Sequence, residues 1–315
     1  RSPVRQEFVE DRSGTLPDGT EVSEPAHPPH GLGLSQWWTL VQRNLTIKAV
    51  DRWNTAALLV QAPVIAVLIV LVFGRRAAAE LTPQTWPDVA KMVNSTIFVL
   101  SLSAIWFGCS NAIREIVGEW SAYQRERMAN LKLVPYIGSK FAVLGGICLV
   151  QCLVLLAVVY LGSGLEGPAV PMFGVLVLAA LVGVGIGLAV SAASRTTEVA
   201  LALLPLIILP LLLLGGSLQP RHDLPTPIRQ VADLLPSRWA FEGILTLEAN
   251  QRPTALNVVP VDGTDPGPVI RDMAEHAFPS GTERMGPRAS VLALTSMLIG
   301  LLSMVAAILR GRDLH

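Results

Sequence analysis

The chain has 315 residues, and its 24 lysines and arginines equal its 24 aspartates and glutamates, a balance that singles out neither nucleic acid nor an acidic partner. Hydrophobic residues make up 51% of it and charged residues 15%, where about 25% is usual. Two ordinary soluble domains are thereby excluded, and an all-α protein that crosses the membrane several times is expected.

Residues 1–33 contain Pro3, Pro17, Pro25, Pro28 and Pro29, several acids and few large apolar side chains. A segment of this kind cannot bury enough surface to fold alone, so a disordered linker is expected, with a further domain ahead of it. No early charged-then-apolar segment with a cleavage site occurs in these residues, so a secretory signal is not expected here. The membrane domain is then residues 34–315. Its first segment, LSQWWTLVQRNLTIKAVDRWNTA, places Trp37, Leu40, Val41, Leu45 and Ile47 or Lys48 near helical spacing, with Gln42, Arg43, Asn44, Asp51 and Arg52 elsewhere around the wheel. Paired tryptophans and scattered basic residues suit the headgroup region, so an amphipathic helix along the membrane surface is expected.

Six spans follow, at 56–73, 93–113, 137–161, 172–193, 199–218 and 289–309, each near the ~20 residues that a crossing needs. The second is the most polar, with Asn94, Ser95, Ser101, Ser103 and Ser110. An even count puts both termini on one side. Arg114, Arg125, Arg127, Lys132, Lys140, Arg195, Arg310 and Arg312 face that side, against Arg75, Arg76 and Lys91 in the opposite short loops, which makes it cytoplasmic. Cys109, Cys148 and Cys152 lie in or beside apolar runs and read as small packed hydrophobes. In the fourth span Gly183, Gly187 and Ser191 share a face, for packing within the chain or for a dimer seam. Pro205 and Pro210 kink the fifth, which either lines an apolar path or is simply bent.

The last external loop opens with two short amphipathic helices, interfacial or re-entrant. Thr226 caps the first ahead of Pro227; Pro236 stops it, and Ser237 caps the second. Residues 249–287 read as an exposed polar loop. No phosphate loop, zinc motif or nucleophile elbow occurs, and His27, His30, His222, His276 and His315 sit in tails and loops, so no catalytic or metal site is expected in this segment. The spans carry almost no ionisable residue at mid-depth, Gln61 and Gln151 being the main polar intrusions, which argues against an ion-coupled carrier.

That leaves NAIREIVGEWSAYQRERM, residues 111–128, as the place where energy could enter. Glu115 and Glu119 are four apart, and Ser121 with Gln124 has capping-box spacing, so a helix is expected to begin at Ser121. Physically it is either a solvated loop of internal ion pairs or a docking surface. The run on to LKLVPYIGSK, with its REIV-x-E exit, its RER and its Y-x-x-SK, resembles the ABCG (White-type) family of ATP-binding cassette transporters, as does LPSRWAFEGIL. The resemblance covers 34–315.

It implies the permease domain of an ATP-driven exporter, coupled to a cytoplasmic ATPase that binds ATP and Mg, joined upstream on the same chain, and paired with a second membrane domain as a homodimer. By position, Arg114, Glu115, Glu119, Arg125, Glu126 and Arg127 are the coupling residues. Leu102, Trp106, Leu206, Leu213 and Leu214 line the path of a hydrophobic or lipid-like cargo. The family's extracellular disulfides are missing, since the loop has no cysteine. The alternative is a non-transporting receptor or scaffold that docks a cytosolic partner through the same charges.

Overall fold

The structure, a computed structural model, describes residues 33–74, 85–129, 131–220, 224–252, 254–257, 268–275, 277–279, 281 and 284–313. The expected linker, apart from Gly33, and all five histidines lie outside the described residues. Helices α1 (Leu34–Val50), α2 (Arg52–Ile69, ending in a π turn Val70–Gly74) and α3 (Trp86–Ala112) come first. Next are α4 (Trp120–Met128), α5 (Leu133–Ser163), α6 (Ala169–Ala193) and α7 (Thr197–Leu213). Helices α8 (Thr226–Asp233), α9 (Pro236–Gln251) and α10 (Gly286–Asp313) complete the bundle.

Among the described residues, five helical stretches are long and apolar enough to cross a membrane: Arg52–Gly74, Trp86–Met128, Leu133–Ser163, Ala169–Ala193 and Gly286–Asp313. The sixth expected span is shorter than read. Helix α7 has 17 residues and stops at Leu213 rather than 218. The chain bends there through Gly215 and Gly216, the latter at φ 97°. Even so, α7 runs from the α4 end of the bundle to the α9 end, where Gly216 lies against Phe241 and Phe278.

The polar second span holds as a helix because its hydroxyls bond backward. Thr96, Ser101 and Ser103 donate to the carbonyls of Met92, Ile97 and Val99 at 2.7–2.8 Å, so none is left orphaned in the bundle. Small residues then bring α3 and α6 into backbone contact. A Cβ on Gly108 would sit 2.0 Å from the Ala180 carbonyl oxygen, and one on Gly183 would sit 2.3 Å from that of Ile105. Gly187 meets Cys109 and Ala112 in the same way. The glycine stripe is therefore filled within the chain. Cys109, Cys148 and Cys152 are buried free thiols packed in the same core.

Several local expectations are corrected. Helix α8 starts at Thr226, but its cap position is Pro225 and no side chain caps it. Pro236 opens α9 instead of closing α8, because a proline needs no backbone donor in a first turn. Ser237 is inside that helix and buried, not a cap. The loop 249–287 is not wholly exposed: strands β1 (Thr254–Asn257) and β2 (Pro268–Arg271) pair antiparallel. Met273, Ala274, Ala277 and Phe278 beyond them are buried. In α1, Leu40, Val41 and Asn44 face inward, whereas Leu45 and Ile47 are exposed.

The seam yields a prediction. Gly108→Ala or Gly183→Ala should each lower stability by at least ~1–3 kcal/mol, since the clash is with backbone that cannot step aside. Gly146→Ala, where a Cβ meets nothing within 4 Å, should be neutral or slightly stabilising. Thermal unfolding of the three variants in detergent would separate them.

Candidate functional site: a charged platform at the α4 end

After Ala112 the chain leaves the helical path. Residues 113–116 form turns and Val117–Glu119 a 3₁₀ turn, after which α4 starts at Trp120. The expected start at Ser121 is not observed. Position 119 is the cap, without a side-chain cap bond, and no Ser121–Gln124 box forms. What steadies the turn is Ser191 on α6, whose hydroxyl oxygen accepts from the backbone N–H groups of Ile116 and Val117, each at 3.0 Å. Two backbone donors at the start of the 3₁₀ turn are thereby satisfied inside the bundle.

Lys140, two turns into α5 and only 2% exposed, reaches both acids of the turn: Glu119 at 2.6 Å and Glu115 at 3.3 Å. Glu115 is bridged again by Lys48 of α1, and Glu126 by Arg43 of α1. On the far side of α4, Arg127 pairs with Asp313 at 2.7 Å, and Tyr123 donates to the same carboxylate at 3.0 Å. Arg312 lies over the Trp120 ring at 3.8 Å and donates to the carbonyls of Ala192 and Ser194 at 2.6 and 3.0 Å. One short segment is thus tied to α1, α5, α6 and the end of α10.

The sequence motifs acquire physical roles in this arrangement. In Y-x-x-SK, Tyr136 packs on Tyr123 with ring centroids 4.9 Å apart. Ser139 donates to the Tyr136 carbonyl and accepts from Asn44 of α1 at 3.4 Å, while Lys140 closes the ion cluster. Deeper in the bundle the two amides noted as intrusions meet through Asn111. Gln61 donates to Asn111 at 3.4 Å, Asn111 to Gln151 at 2.7 Å, and Gln151 to the Leu58 carbonyl at 2.6 Å. They clasp α2, α3 and α5 together.

Of the six expected coupling residues, Glu115, Glu119, Glu126 and Arg127 are engaged within the chain, while Arg114 and Arg125 are exposed. Sequence reasoning missed their partners Arg43, Lys48 and Asp313. Lys140, a cation inside an apolar run, was the legible signal for this cluster. The five path residues are not gathered into one cavity within the chain. Leu102 and Trp106 are half-buried on α3. Leu206 lines a crevice of about 550 Å3 with α6 and α10, and Leu213 and Leu214 line another of about 470 Å3 with Pro227, Ile228 and Val231.

The opposite end has its own buried charges, all on or beside α9. Glu242, fully buried, accepts from the N–H groups of Met285 and Gly286 at 2.6 and 3.2 Å and so caps α10. Arg238 lies 3.3 Å from Glu242 and 3.0 Å from Asp233. These are the Arg and Glu of LPSRWAFEGIL, and its Phe241 packs between Phe98 and Phe278. Glu248 accepts from the N–H groups of Glu166 and Gly167 in the α5–α6 turn. Burial pushes its carboxyl above the ordinary 4.5, against the pull of those two N–H groups and of Arg252.

Helices of this length, stacked by glycine contacts and closed at one end by an ionic platform, define a multi-pass membrane protein with a braced polar end. The chain matches the family described as ABC-2 type transporter over residues 35–249, and it belongs to that family as a membrane domain. It is 24% identical over 241 residues to the ABC transporter ATP-binding/permease protein Rv1747 of Mycobacterium tuberculosis, an alignment that covers 73% of this chain and 28% of the relative. The chain therefore spans less than a third of that relative's length.

Two outcomes follow for the buried charges. Lys140→Met should cost ~1–3 kcal/mol, less than a fully buried pair because Lys48 still serves Glu115 and Glu119 is partly solvated. Arg125→Ala should stay within ~0.5 kcal/mol; chemical denaturation reads both. Because the fold raises the pKa of Glu248, the stability this group contributes is complete below 4.5 and is lost as pH rises through the raised value. Glu248→Gln should flatten that part of the melting-temperature profile.

Proposed function

We propose that the chain is the membrane half of an ATP-driven exporter of the ABCG type, with both termini and the charged platform on the cytoplasmic side. Helix α7 serves as the fifth of six crossings. The observation that carries the reading is the bracing of 111–128: a push on α4 meets ion pairs to α1, α5 and α10 rather than a loose loop. An ATP-binding domain that closes on this segment would move those helices together, reorienting the bundle between inward- and outward-open states. The similarity to a protein named as an ATP-binding/permease protein supports an ATPase on the same chain.

A second copy would complete the path. Helix α7 buries only Ala200, Leu204 and Leu211, and α3 keeps Leu102 and Trp106 half-open, which leaves apolar faces for a partner at a two-fold axis. The path residues Leu102, Trp106, Leu206, Leu213 and Leu214 would then face a hydrophobic or lipid-like cargo.

The test is transport per ATP in proteoliposomes of the full-length protein, read with a fluorescent lipid analogue. Glu119→Lys sets two cations against each other at Lys140 and should lower the ratio by about fivefold or more while ATPase activity persists. An unchanged ratio in a correctly inserted variant would remove the coupling role.

A further inference from the structure

The ion pairs of the platform sort its residues into two sets. Glu115, Glu119, Glu126 and Arg127 are paired with Lys48, Lys140, Arg43 and Asp313, Glu115 nearly buried and the other three about a third exposed. Arg114, Gly118, Ser121, Gln124, Arg125 and Met128 are exposed along a path that runs from turns through the 3₁₀ turn into α4, where Ser121, Arg125 and Met128 share a helical face. Ile113, Ile116, Val117 and Tyr123 between them are buried. Neither guanidinium has an ion pair among the described residues, Met128 is 84% exposed, and a Cβ on Gly118 would meet nothing within 4 Å. With the acids paired, the unpaired charge of the exposed face is positive, and Met128 adds one apolar knob.

We infer that this face docks on an acidic surface of the ATP-binding domain, with carboxylates opposite Arg114 and Arg125 and an apolar socket for Met128. The inference rests on the coupling reading above and adds the sign and shape of its partner. The segment is mixed in charge along the sequence; the pairing of its acids leaves unpaired charge of a single sign, and complementary charge then sets register and orientation. A protein partner is favoured over anionic lipid because the face is preorganised. The turn is held by Ser191 and by the bridged Glu115 and Glu119, and the helix by the bridged Glu126 and Arg127, which reduces the ordering cost of docking a shaped surface. Headgroups are mobile and gain little from such rigidity.

The test uses the full-length transporter in proteoliposomes containing phosphatidylglycerol, with Gly118→Cys carrying a photo-crosslinker. Cys109, Cys148 and Cys152 are buried, so the new thiol is the accessible one among the described residues. The expected result is cross-linking to an Asp/Glu-bearing peptide of the ATP-binding domain, with a yield that falls as salt rises. Arg114→Glu with Arg125→Glu should cut that yield about tenfold at low salt, and Arg114→Lys with Arg125→Lys should largely retain it.

Retention of full yield in the double reversal, or capture of a peptide without acids, would overturn the inferred charge while leaving the coupling reading in place. Cross-linking to phospholipid alone would overturn both.

Discussion

The contact on which the remaining geometry depends is the backbone approach of α3 and α6. Gly108, Gly183 and Gly187 remove the side chains that would separate the helices, and a Cβ at either of the first two would overlap a carbonyl oxygen. In a bilayer no hydrophobic driving force favours helix on helix over helix on lipid, so close packing and polar contacts carry the association. This approach also sets Ser191 within reach of Ile116 and Val117. The turn that starts the charged segment is therefore positioned by a side chain 74–75 residues later in the chain.

From that fixed turn the ion pairs follow. A lysine as buried as Lys140 is costly unless paired, and the position of the turn brings two carboxylates to it. Arg43 and Lys48 add α1, and Asp313 and Arg312 add the last turn of α10. The result joins elements from both ends of the sequence around nine residues of α4. At the other end of the bundle Glu242 and Glu248 do similar work on backbone donors, capping α10 and holding the α5–α6 turn. Both ends are closed by buried charge, whereas the middle relies on glycine contacts and three amides.

Much of this was legible in the sequence. Apolar run length located the helices with ends up to seven residues off, as at Trp86 against the expected 93, since a crossing helix must satisfy its backbone internally and so must be long and apolar. The stripe of Gly183 and Gly187 announced close packing. Boundaries set by proline were less legible. Pro236 fits the end of one helix or the first turn of the next, and only its neighbours choose. The apparent capping box at Ser121 failed because a 3₁₀ turn already led into the helix from Glu119, whose carboxylate went to Lys140. Helix α7 ends at Leu213 as the chain turns through Gly215, where a Cβ would meet Phe98, and Gly216, whose positive φ leaves the helical region.

By itself, then, the sequence determined that the chain is a bundle of membrane helices, where those helices run, and that its dense polar stretch lies at their ends. These properties are local, fixed by hydropathy and length. Only the tertiary structure decided which charges of that stretch are spent inside and which face outward. The partners Lys48, Lys140 and Asp313 are 67, 21–25 and 186–190 residues away from the groups they bind, and spacing along the chain carries no trace of such pairings. Three-dimensional pairing turned a mixed-sign segment into a face of one sign.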